Sequence, residues 1–131
     1  MKKSYKGFVL WVIAYILGFF PIIHLTDGIL STRLTLLYTA VMICVLMLII
    51  KKTDSIYWIN GISFEDAEKV CYEKRMAYAD AHLKKFYSFT VFYAIFTRIS
   101  HMLELSMWID TIVFTFGLIA AAVSTVKITL E

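Results

Sequence analysis

Apolar and polar positions divide the chain into four long apolar runs and one polar segment between the second and third. The runs span Gly7 to about Leu25, Leu34 to Ile50, Phe86 to about Leu105, and Met107 to Val126. Each approaches the ~17–25 residues that a helix needs to cross a bilayer core. The runs are continuous, whereas strands of outer-membrane barrels alternate apolar and polar residues over ~10 positions. In lipid every backbone N–H and C=O must pair within its own segment, so length and hydrophobicity together predict helices. The links at 26–33 and around Ser106 are short, which makes sequential helices antiparallel neighbours. The expected fold is all-α: one membrane domain over 1–131, built as a four-helix up-down bundle. Small residues four apart, Ala14/Gly18 and Gly117/Ala121, could let helices approach closely.

The polar segment, 51–85, has its own pattern. Ser-Ile-Tyr-Trp-Ile at 55–59 is apolar and aromatic, and Asn60-Gly61 marks a turn. Ser63 followed by Glu65, Asp66 and Glu68 predicts a helix start, because its hydroxyl can accept an orphan backbone N–H and acids suit the positive end of the helix dipole. From there Phe64, Ala67, Val70, Cys71, Tyr78 and Ala81 share one face, while Glu65, Lys69, Glu73, Arg75, Asp80 and Lys84 lie opposite, His82 with them. An amphipathic helix is therefore expected before the third span. No breaker separates the two, so they either form one long helix or bend near Lys84-Lys85.

Composition agrees with the pattern. The 131 residues are 60% hydrophobic, against ~45–50% in soluble domains, and a domain this small cannot bury so much apolar surface in itself. A single proline and five glycines leave no room for long disordered linkers. Cys44 and Cys71 form no CxxC pair, so neither a disulfide framework nor a thiolate metal site is indicated. Met-Lys-Lys before an apolar run has the look of a secretory signal. However, Pro21-Ile22-Ile23-His24 follows Phe20 where a small-x-small cleavage site would stand, so the run is expected to stay as the first span.

Charge sets the expected orientation. Lys2, Lys3, Lys6, Lys51, Lys52, Lys69, Lys74, Arg75, Lys84, Lys85 and Lys127 fall at one side of the spans; only Arg33 and Arg98 fall toward the other. The positive-inside rule then places both termini and the middle loop in the cytoplasm. Trp11, Tyr57, Trp58 and Trp108 are expected at the interfaces, where amphipathic rings settle. In the loop six acids nearly balance seven bases. A nucleic-acid surface or polybasic lipid arm would need a clear excess of positive charge.

The candidate chemistry gathers at the other end. Span one ends His24-Leu-Thr-Asp27 and span three ends His101-Met-Leu-Glu104. Residues three apart on a helix share a face, so each histidine is expected beside its own carboxylate. Arg98 lies one turn deeper, Asp110 opens span four and Arg33 opens span two. A charge inside a membrane helix costs ~2.5–3.5 kcal/mol or more unless paired, so Arg98 is expected to take Asp27, Glu104 or Asp110. The cluster admits interfacial ion pairs that fix register. It also admits a divalent metal site (zinc, manganese or iron) on His24, Asp27, His101 and Glu104, or an ion or anion site on Arg98, His101, Glu104 and Asp110.

No glycine-rich phosphate loop, GxSxG, HExxH or nucleophile–base pairing is present. The expected class is thus a non-enzymatic accessory, regulatory or protective membrane protein. Its cytoplasmic face of Ala67, Val70, Cys71 and Tyr78 would meet a protein partner or a second copy. The alternative is a small transporter or metal-binding protein that uses the outer cluster.

Overall fold

The computed structural model describes residues 1–59 and 61–130. Among these residues it is all-helical: α1 (Lys6–Leu25), α2 (Gly28–Thr53), a 3-10 turn (Ile56–Trp58), α3 (Phe64–Glu68), α4 (Tyr72–Met102) and α5 (Met107–Thr125). Three of the helices, α1, α2 and α5, are long and apolar enough to cross a membrane. The third predicted run is part of α4 and falls outside that set. Its apolar residues are diluted by Thr90, Tyr93, Thr97, Arg98, Ser100 and His101.

Most of these polar residues turn inward. Tyr93 and Ser100 are fully buried, and Thr90 donates to the Ala40 carbonyl of α2 (3.1 Å). Val91, Phe92, Ile95, Ile99 and Met102 point outward.

α4 packs against both α2 and α5, and α1 leans on α2. The central core is Ala40, Phe89, Tyr93 and Phe114, with the Tyr93 and Phe114 rings edge to face at 5.2 Å. Such pairs add ~0.5–1.5 kcal/mol beyond the area they bury. α1 has no buried residue and attaches through aromatic side chains: Trp11 Nε1 donates to the Met42 carbonyl (2.8 Å), and Tyr15 and Thr39 hydroxyls meet at 2.9 Å.

Both glycine pairs receive rings. The Tyr38 hydroxyl crosses Gly18 to donate to the Ala14 and Tyr15 carbonyls at 3.1 and 3.0 Å; a Cβ on Gly18 would stand 2.0 Å from it. Phe89 fills the notch at Gly117 in the same way, 2.7 Å from a Cβ placed there.

The amphipathic segment departs most from expectation. Ser63 caps as predicted, its Oγ accepting from Asp66 N at 3.0 Å, but α3 lasts only to Glu68 and a new helix begins at Tyr72. Arg75 explains the break. Its guanidinium donates to the Val70 carbonyl in the break just past α3, and its fork holds both oxygens of Asp54 (2.8 and 2.5 Å) at the left-handed end of α2. Bidentate charge-assisted pairs of this kind fix geometry as well as adding energy. Arg75 and His82, expected on the solvated face, are therefore buried. From Tyr72 to Met102 the helix is unbroken and runs through Lys84-Lys85 without interruption.

Ala67 and Tyr78 enter a second core with Ile50, Ile56, Tyr57 and Ala79, against which Ile128 and Leu130 pack. Tyr57, expected at an interface, is interior: its hydroxyl accepts from Ser4 N and donates to Ser4 O, both at 2.8 Å.

Candidate functional site

Arg33 stands on the second turn of α2, Ser100 on the last turn of α4 and Asp110 on the first turn of α5. The fold brings the three together and withdraws them: Arg33 is 4% exposed, Ser100 and Asp110 0%. Arg33 Nε donates to Asp110 Oδ2 (3.1 Å), and Arg33 Nη2 donates to Ser100 Oγ (3.1 Å) and to the carbonyls of Ser100 (3.2 Å) and Leu105 (2.7 Å). Ser100 Oγ donates in turn to Asp110 Oδ2 (3.0 Å). One guanidinium thus ties α2 to the end of α4, to the turn after it and to α5. Asp110 gains again from the positive end of its own helix.

Polar capacity is left over. Among the described residues, Asp110 Oδ1 is buried without a hydrogen-bond partner. Arg33 Nη1 reaches only His101 Nδ1, at a long 3.5 Å.

Arg33, rather than Arg98, takes the carboxylate. Ser100 faces the interior, and Arg98, two residues earlier, lies ~200° away around the helix. It is exposed and makes no ion pair among the described residues. The two expected His-carboxylate pairs also dissolve, because each straddles a helix end. α1 stops at Leu25, so Asp27 is already the extended residue preceding α2, and His24 stacks on Phe20 instead (centroids 6.4 Å apart). α4 stops at Met102, and Glu104 sits in a tight turn at φ 51°, exposed. The quartet His24, Asp27, His101 and Glu104 is not assembled: among the described residues no group of three or more His, Cys, Asp or Glu side chains could hold a metal ion.

Two hollows adjoin the buried pair. One, about 490 Å³, is lined by Ile29, Leu30, Arg33, His101, Glu104 and Leu105. The other, about 250 Å³, lies between α2 and α4 against Leu30, Leu34, Leu37, Ala94, Thr97 and Arg98, with Arg33 and His101 shared. Sequence reasoning undervalued Arg33 and missed Ser100. The usable signal was Arg33 itself, a lone charge that becomes intrahelical once α2 is seen to start at Gly28.

At the opposite end the face expected to meet a partner is partly internal. Ala67 and Tyr78 are buried, Val70 is half-buried and Cys71 is exposed at the α3–α4 break. A hollow of about 350 Å³ opens there between Asp66, Lys69, Val70, Cys71, Lys74 and Leu130. Nearby, Asp80 joins α2 to α4: Lys51 Nζ lies 2.5 Å from one oxygen and Lys84 Nζ 2.8 Å from the other. The two ammonium groups hold its carboxyl down at about 2. Comparison with protein-family models, curated proteins and solved structures gives no match.

Proposed function

We propose that this is a four-span membrane protein with both termini and the 51–85 layer in the cytoplasm. It works as a non-enzymatic accessory or regulatory subunit that meets a protein partner through that layer. The fourth span is the second half of α4, whose inward Thr90, Tyr93 and Ser100 and outward Val91, Phe92, Ile95 and Ile99 suit a helix with lipid on one side and protein on the other. The orientation follows from eleven of the thirteen Lys and Arg residues lying at the Lys51 end.

The observation that carries the partner assignment is the α3–α4 break, where Val70, Cys71 and Leu130 meet Lys69 and Lys74 around an open hollow. The break puts apolar contact and charge side by side on an otherwise self-contained layer. A photo-crosslinker at Lys74, used in native membranes, tests it: a second polypeptide should be captured reproducibly at this position and lost in Val70→Asp. Only self-crosslinks, or none, would remove the heteromeric reading. A membrane-impermeant thiol reagent tests the orientation, since Cys71 should label only after permeabilisation.

A second reading, a ligand site at the other end, is favoured by the meeting of Arg33, Arg98 and His101 around the α2–α4 hollow.

A further inference from the structure

The α2–α4 hollow has an unusual division of chemistry. Leu30, Leu34, Leu37 and Ala94 line it with hydrocarbon, Thr97 adds a hydroxyl, and Arg33, Arg98 and His101 bring basic nitrogen. Arg33 spends its Nε on Asp110 and its Nη2 on Ser100 and Leu105, but its Nη1 has only the long approach to His101. Arg98 has no carboxylate at all among the described residues, although it sits within the apolar stretch of α4, where an unpaired guanidinium is costly. The nearby carboxylates are committed or displaced: Asp110 belongs to Arg33, and Glu104 lines only the neighbouring hollow.

The lining therefore calls for an anion, and the apolar walls call for hydrocarbon attached to it. Inorganic phosphate would leave the leucines wet, and a plain acyl chain would leave Arg98 unanswered. At about 250 Å³ the hollow is smaller than the ~300–1,000 Å³ of pockets that swallow a whole ligand; it suits part of a molecule whose remainder lies in the bilayer. We infer that this hollow is a binding site for a phospholipid with an anionic headgroup, its phosphate held by Arg98 and His101 beside Arg33 Nη1 and one acyl chain laid along Leu30, Leu34 and Leu37. The assignment rests on the second reading above, that the Arg33 end takes a ligand, and names that ligand's class. Bidentate hydrogen bonding to phosphate is what a planar guanidinium does best.

The test is native mass spectrometry of the detergent-purified full chain titrated with phosphatidylglycerol, phosphatidylcholine or inorganic phosphate. The expected result is one retained phosphatidylglycerol, bound at least five-fold tighter than phosphatidylcholine. Arg98→Gln should erase that preference and Glu104→Gln should leave it intact. Because Arg98 is exposed, Arg98→Gln should fold; Leu34→Phe, which fills the hollow without touching charge, should weaken both lipids together. Equal binding of the two lipids, or a preference that survives Arg98→Gln, overturns the proposal. Binding of inorganic phosphate that displaces the lipid also overturns it while keeping the second reading, whereas no binding of any of the three removes both.

Discussion

Arg33 and Asp110, 77 residues apart in sequence, meet at 3.1 Å with side chains only 5% and 0% exposed. No other ion pair among the described residues is so withdrawn from its surroundings. Removing one partner from a buried pair strands the other and costs ~3–5 kcal/mol, while replacing both with apolar side chains is often far cheaper. Asp110→Leu and Arg33→Leu should each lower the unfolding free energy in detergent by about that much. The double variant Arg33→Leu/Asp110→Leu should recover a large part. Strictly additive losses in the double variant would show that the pair is not energetically coupled.

The aromatic seats at Gly18 and Gly117 make a second prediction. An alanine at Gly18 must push the Tyr38 hydroxyl off the Ala14 and Tyr15 carbonyls, since its Cβ would lie 2.0 Å away. Overpacking of this kind costs ~1–3 kcal/mol. Gly18→Ala should therefore detach α1 from α2, read as faster proteolysis or hydrogen exchange in α1 alone. In a Tyr38→Leu background the same substitution should cost much less, because the obstructing ring is gone.

How far the sequence reveals this protein depends on whether a feature is periodic or terminal. α1, α2 and α5 follow from runs of apolar residues, and the Ser63 cap follows from the residue itself. What periodicity cannot supply is the place where a helix stops. His24/Asp27 and His101/Glu104 have the spacing of helix neighbours, yet α1 and α4 end inside each pair, so the expected contacts vanish. The same applies to Arg75 and His82. They lie opposite the apolar face only if one helix runs through 64–84, and the break at Lys69–Cys71 resets that register. The break itself comes from a long-range contact, Arg75 to Asp54, which no local pattern announces.

Asp80 carries a pH prediction. Its carboxyl titrates at about 2 instead of the ordinary 3.8, first because of the Lys51 hydrogen bond and then the Lys84 one. A folded value below the unfolded one means the stabilisation is complete above about pH 4 and is lost as pH falls from there toward 2. The side chain is 30% exposed, so added salt should shrink the effect. In thermal unfolding at low salt, Asp80→Asn should flatten the curve of stability against pH between 4 and 2. An unchanged acid limb would show that the two lysines are not bonded to Asp80 in solution.

His82 should act at milder acidity. It is 3% exposed, its ring 4.3 Å from that of Tyr78 and its Nδ1 2.9 Å from the Tyr78 carbonyl. Burial pushes its titration below the ordinary 6.5, more than the carbonyl contact pulls it back. The space beside it is lined by Ile59, Tyr78, Ala122, Thr125, Val126 and Ile128, and among the described residues no carboxylate lines it to receive an imidazolium. The unfolded chain therefore binds this proton more readily than the folded one. Stability should be full above about pH 6.5 and fall as pH drops through that value toward the lower folded one. A thermal series from pH 8 to pH 5 in detergent should show the decline, and His82→Phe, which keeps a ring against Tyr78 and cannot be protonated, should remove it. If the variant declines as steeply as the natural protein, acid sensitivity in this range comes from another group, and His82 is open to water in solution.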